Sequence, residues 1–325
     1  TRVIFPLAYD YYLFSIDGAF PGWATNSAIY HRSMPDILSN ITFYVYAAMG
    51  VIFLPTVALF VRENKIKTFN VWRTFLMPFA IAPICYLWIH ASGPIYAFSS
   101  EFFPNLMPSA SEAPATMALI PPSFRNAMPS MHLTGAIILW MLAAALKWRG
   151  WVILFTVFGV ITAWATLALG EHYVIDLIVA LPFSALMGIL LIKPKNYLSD
   201  GKNGKIYLTI AAISFVFWMI SIRWFPNFLI KNKDLVRMLA IGMFILFVLM
   251  QYKYLKIINK LKNINYIEDA KQGDSDHIRL NEVGLSWVFW LFFISGFAGI
   301  LYEVIYVKAL AVTFGGSSLA SNTVL

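Results

Sequence analysis

Two stretches of this 325-residue chain carry side chains suited to chemistry on a phosphate. The first is Arg125-Asn126-Ala127-Met128-Pro129-Ser130-Met131-His132, and the second is Gly170-Glu171-His172-Tyr173-Val174-Ile175-Asp176. Asp176 stands one helical turn after His172, so on a helix the two share a face, and the carboxylate can take the proton of one ring nitrogen. The other nitrogen is then a lone pair aimed into the site, the arrangement of an oriented nucleophile. His132 can serve from across the site as the general acid that protonates a departing alkoxide. Pro129 and Ser130 suit the opening of a helix, where free backbone donors hold an anionic oxygen. Arg125 adds a forked, permanently charged donor for phosphate oxygens, and Ser130 beside it is a second phosphate donor. The combination predicts in-line phosphoryl transfer through a phosphohistidine. Tyr173, Tyr96 and His90 are candidates for further contacts with substrate, although Tyr173 suits an interfacial aromatic equally well and His90 a packed histidine better. Zinc is the competing use for paired histidines, but a catalytic zinc wants three protein ligands and Asp176 alone could be the third. No metal and no cofactor is expected.

The elements that must position these groups follow from hydropathy. Residues 131–146 are apolar, Lys147-Trp148-Arg149-Gly150 turns the chain, and residues 151–169 are apolar again. A membrane-crossing helix needs roughly 20 residues, so one trip down and one trip back return His172 to the face where His132 began. The whole chain is 60% hydrophobic and 12% charged, with a mean hydropathy of +0.70. That composition, with repeated apolar runs, predicts an all-α polytopic membrane bundle. Spans are expected at 40–61, 74–91, 131–147, 151–169, 173–192, 206–225, 236–255 and 285–312; Pro55, Pro83 and Pro182 inside them are tolerated in membrane helices. The net charge of +8 resides in loops, as topology demands, and does not point to nucleic acid. Sixteen basic residues fall in loops on one side and seven on the other, which makes the first side cytoplasmic and puts both histidine motifs on the outer face. The discordant loop carries Arg223, Lys231, Lys233 and Arg237.

Residues 1–39 read as an N-terminal segment with a short helix, in which Tyr9, Tyr12, Leu13 and Ile16 recur at helical spacing with Asp10 and Asp17 on other faces. A helix lying at the membrane interface and an ordinary buried one both fit that pattern. Residues 40–192 form the core that carries the site, with a long loop at 92–128 read as a substrate cover. Further spans occupy 193–255, a polar cytoplasmic linker 256–284, and the start of a second, truncated membrane domain 285–325. The opening at Thr1, without a basic leader, and the close just past an apolar run are both read as cuts from a longer protein. Cys85 has no intrachain partner, so no disulfide is expected.

At these residues the chain resembles the type 2 phosphatidic acid phosphatase superfamily. The Pro-Ser-x-His motif of that family stands as Pro129-Ser130-Met131-His132, and its His-x3-Asp motif as His172 to Asp176. The resemblance implies a helical membrane fold, His172 as nucleophile, His132 as acid and Asp176 as the orienting partner. Ala165-Thr166 replaces the Ser-Arg of the family, and His90-Ala91-Ser92-Gly93-Pro94-Ile95-Tyr96 occupies the place of its basic first motif. With His172-Tyr173-x-x-Asp176-Leu177-x-x-Ala180, these departures look more like the inositol phosphorylceramide synthase and sphingomyelin synthase branch, which hands a phosphorylated headgroup to a lipid acceptor. The resemblance spans about residues 5–192. It implies a phospholipid or polyprenyl-phosphate substrate, with a lipid phosphatase as the alternative and a non-enzymatic transporter or scaffold as the reading of another class. Separately, residues 292–303, which end on Tyr302-Glu303, are similar to the opening span of membrane-bound spermidine-synthase-like proteins.

Overall fold

The computed structural model describes residues 7–20, 22–63, 71–98, 115–120, 125–190 and 202–271. The expected span at 285–312 and most of the loop at 92–128 lie outside these residues. The chain divides into two compact units, Thr1–Tyr266 and Ile267–Leu325, and the elements that position the site belong to the first.

A two-residue strand, β1 (Leu7–Ala8), pairs antiparallel with β2 (Ala118–Leu119). Helices follow: α1 (Asp10–Asp17), α2 (Trp23–Ser33), α3 (Asp36–Glu63), α4 (Val71–Trp88), the single turn α5 (Pro94–Ala97), α6 (Met131–Ala145), α7 (Arg149–Ala168) and α8 (Val174–Ile189). Beyond them lie α9 (Lys202–Trp224), the short α10 (Pro226–Lys231) and the long α11 (Lys233–Lys271). The first seven expected spans coincide with α3, α4, α6, α7, α8, α9 and α11.

The pairing of α6 with α7 is local in origin. Lys147 takes a left-handed conformation at φ 59°, which lets the chain reverse within a few residues and lays the two helices side by side. On the other side α6 meets α8, α8 meets α9, and α7 is covered by α2 and α3. Helix α8 is buried along nearly its whole length, so it stands in the middle of the bundle. Gly188 permits this closeness, because a Cβ there would run into the thioether of Met141 on α6.

Among the described residues, Arg149–Ala168, Gly204–Trp224 and Lys233–Asn259 are long and apolar enough to cross a membrane. Helices α6 and α8, with 15 and 16 residues, fall short of the roughly 20 that a crossing needs. Both are buried by neighbouring helices along most of their length. The longer helices turn apolar side chains outward: Ile153 and Val160 on α7, Ile213 on α9, and Met238, Ile241 and Phe244 on α11 are all more than half exposed. Water would penalise such faces, and lipid would not.

The N-terminal segment resolves between its two readings. Leu13 and Ile16 are fully buried, and Asp10 and Asp17 are buried with them. Helix α1 is therefore a plug against α5, α8 and α10, not a helix lying on the surface.

Candidate active site

Both histidine motifs sit at helix starts. Ser130 is the N-cap of α6, its hydroxyl accepting from the Leu133 N–H at 3.4 Å, which leaves His132 in the first turn. The second motif begins where α7 ends. Gly170 there takes φ 72°, a conformation that glycine adopts without strain. The carbonyl of Thr166 then receives the N–H groups of Glu171 and His172 at 3.0 and 3.2 Å. Tyr173 caps α8, and Asp176 reaches back to its N–H at 2.8 Å. A backbone bond of 3.5 Å from Ser130 N–H to the Asp176 carbonyl ties the two motifs together.

Within this frame His172 Nδ1 lies 3.4 Å from Asp176 Oδ2, and the backbone of Ala127 is a second hydrogen-bond partner of the ring. The rings of His172 and His132 are 6.0 Å apart at 65°. Burial drives the His172 pKa down to about 4, so the imidazole is neutral near pH 7. His132 lies against Tyr46 of α3, with centroids 4.0 Å apart and an interplanar angle of 22°.

Arg125 is buried, and its Nη1 is 3.8 Å from Asp10 Oδ2. Asp10 is the hub of the site wall. Its carboxylate accepts from the N–H of Ser92 at 3.0 Å, the N–H of Gly93 at 2.8 Å and the hydroxyl of Tyr173 at 3.0 Å. Burial raises its pKa to about 6, against the pull of those donors and of Arg125. Gly93, at φ 112°, allows the loop to close on the second motif, since any Cβ would collide with the Glu171 carbonyl. Asp17 accepts the N–H groups of Val174 and Ile175 at 2.6 and 3.0 Å. It therefore caps α8 from a distant helix and answers donors that would otherwise be orphaned.

The structure thus brings Arg125, Ser130, His132, His172 and Asp176 to one end of the bundle. Ser130 is fully buried and engaged in capping. Tyr173 is fully buried with its hydroxyl on Asp10, and Tyr96 turns its hydroxyl to Glu171 at 3.2 Å. His90 is buried edge-on to Tyr9, with centroids 5.5 Å apart. Sequence reasoning passed over Asp10 and Asp17 as site groups, and Glu171 and Tyr46 altogether. Glu171 could have been found by its place beside His172. Tyr46 offers no local signal. Among the described residues no group of three or more His, Cys, Asp or Glu side chains could hold a metal ion.

The profile of the PAP2 superfamily matches residues 19–191, a stretch that runs from the end of α1 past the end of α8 and holds both motifs. The chain belongs to the PAP2 superfamily. No curated protein and no solved structure matches it. Membership makes this a membrane-associated enzyme of phosphatase or phosphotransferase type. Ala165 and Thr166 occupy the place where the resemblance would put a Ser-Arg. Both are fully buried at the end of α7, and Thr166 lends its carbonyl to the His172 loop.

Proposed function

We propose that this PAP2 protein is a phosphotransferase acting on lipid phosphoesters through a phosphohistidine at His172, and that it hands a phosphorylated headgroup, of inositol-phosphate type, to a lipid acceptor. The observation that carries the reading is the pairing of His172 Nδ1 with Asp176 Oδ2 at 3.4 Å, opposite His132 at 6.0 Å. Asp176 holds the Nδ1 proton and leaves Nε2 as the attacking lone pair. In the first step Nε2 bonds to phosphorus and the bond to the leaving oxygen breaks, while protonated His132 gives its proton to that oxygen. In the second step a hydroxyl attacks phosphorus, the P–N bond breaks, His132 takes the hydroxyl proton and His172 is restored. Arg125 neutralises the phosphate oxygens throughout. The scheme uses no metal. Water in place of the alcohol gives a lipid phosphatase by the same two steps, and the loss of the Ser-Arg arginine at Ala165-Thr166 is what favours the transferase.

The excess of basic residues in the loops on one side supports a site on the non-cytoplasmic face. The four discordant cations are the opposing signal, and two of them are engaged by the N-terminal segment. Arg223 donates to the Tyr9 hydroxyl and lies over its ring at 5.0 Å, and Arg237 donates to the Ala19 carbonyl at 3.0 Å. Their charge answers partners within the protein, which weakens their vote on topology.

The test uses purified protein with labelled phospholipids, with and without a lipid alcohol or inositol. A new phosphodiester is the expected product, and free phosphate alone would make the enzyme a phosphatase. His172→Ala should lose turnover and the acid-labile phosphoryl label together. Retention of either would overturn the phosphohistidine.

A further inference from the structure

Glu171 has no part in the two steps above, yet it stands inside the site. It lies between the α7 terminus and His172, where a carboxyl costs free energy unless it is well partnered. It has two phenol partners. Tyr96 of α5 donates to Oε1 at 3.2 Å, and Tyr46 of α3 is hydrogen-bonded to the same carboxyl. The ring of Tyr46 is the one on which His132 is stacked, at 4.0 Å and 22°. The carboxyl of Glu171 thus links Tyr96 to Tyr46, the ring stacked on His132.

We infer that Glu171 is a positioning residue for His132, anchoring the Tyr46 hydroxyl so that its ring fixes the orientation of the His132 imidazole. Tyr46 sits on α3, a helix that contains Pro55. Without an anchor at the hydroxyl, the ring has two torsions to relax, and His132 loses its backing. Gly93 keeps the arrangement closed, because its missing side chain lets the loop that carries Tyr96 lie directly on the Glu171 backbone.

This inference rests on His132 acting as the acid for the leaving oxygen, and the experiment separates the two. Turnover of the full chain in detergent is measured on p-nitrophenyl phosphate, whose leaving group needs no proton, and on phosphatidate, whose alkoxide does. His132→Ala should lose activity selectively on phosphatidate. Glu171→Leu should repeat that selectivity at smaller size, losing about tenfold on phosphatidate and about twofold or less on the activated ester, within the range general acids contribute. Adding Glu171→Leu to His132→Ala should cost nothing further on phosphatidate, since a group acting through His132 has nothing left to position. Glu171→Gln keeps an acceptor for both phenols and should recover most of the loss. Tyr46→Phe keeps the ring but loses the anchored hydroxyl; it should show the same selectivity and stands in if Glu171→Leu fails to fold. A uniform loss on both substrates in Glu171→Leu and Tyr46→Phe, with His132→Ala still selective, overturns the inference and leaves the phosphotransfer reading intact. A uniform loss in His132→Ala overturns the acid role and this inference with it.

Discussion

In the proposed phosphotransfer, Arg125 is the cation assigned to the phosphate oxygens. Ala165-Thr166, which stands where the resemblance would put a Ser-Arg, is sealed into the end of α7. Arg125→Ala should therefore lower kcat/KM by more than about tenfold, as removal of a charge-assisted, forked donor does. Arg125→Lys, which keeps the charge without the fork, should recover only part. Steady-state kinetics on a phospholipid substrate checks both, and recovery to wild type in the lysine variant would reduce Arg125 to a point charge. Glu171 makes a prediction about pH. Burial raises its pKa to about 7, so between roughly pH 4.5 and 7 the folded protein keeps a proton that an unfolded chain has released. Stability from this group is thus complete at low pH and is lost as pH rises through 7. His172, lowered to about 4, acts in the opposite direction, but equally in wild type and variant. The Tm of the wild type in detergent should therefore fall relative to Glu171→Gln from about pH 4.5 to 7 and then run parallel to it. A constant difference across that range would mean that Glu171 ionises normally.

At the scale of elements, the site depends on how α8 begins. Its first donors are answered from two directions: Asp176 takes the Tyr173 N–H, and Asp17, on α1, takes those of Val174 and Ile175. His172 immediately precedes this turn, so fraying there would move the nucleophile. Asp17→Ala should lower stability by about 1–2 kcal/mol, the usual cost of deleting a cap, and should lower turnover with it. Asp17→Asn can still accept and should restore most of both. Thermal unfolding and turnover measured on the same preparations test the link, and a stable but inactive Asp17→Ala would mean that the carboxylate acts on the chemistry itself. Helix α1 is thereby a working part of the site, since its other end supplies Asp10 to Arg125, Ser92, Gly93 and Tyr173.

For the whole molecule the open quantity is sidedness. Aromatic side chains mark two levels. Trp88 and Trp224 pair at 5.4 Å at the end of the bundle that holds the site, and Trp148 and Trp151 pair at 6.2 Å beside the turn between α6 and α7. Helix α7, with 20 residues, joins the two levels over about 30 Å, the thickness of a hydrocarbon core. A cysteine at exposed Thr116, in a background with Cys85 replaced, should react with a membrane-impermeant thiol reagent in intact cells. One at exposed Lys147 should react only after the membrane is opened. Reversed labelling would place the site on the cytoplasmic face, and labelling of both in intact cells would break the reading of the α6–α7 hairpin as a return trip.

The sequence by itself determined the chemical cast and the local frame. Histidine and aspartate one turn apart, a serine at a helix start and an arginine shortly before it are local patterns, and local backbone geometry preserves them in Ser130, His132, His172 and Asp176. The apolar runs likewise determined α6, α7 and α8, because a period and a length are properties of one segment. Tertiary structure alone decided what surrounds them. Asp17 caps a helix 157 residues away and Asp10 meets a hydroxyl 163 residues away, and no periodicity records such a pairing. Nor can hydropathy tell a face buried in protein from one buried in lipid. That is why the burial of α6 and α8 among their neighbours was not legible, and why α1 read equally well as a helix on the surface and as the plug that it is. Glu171 and Tyr46 mark the same limit: each is unremarkable in its own segment, and their meeting beside His132 exists only once α3, α5 and the α7–α8 loop have packed.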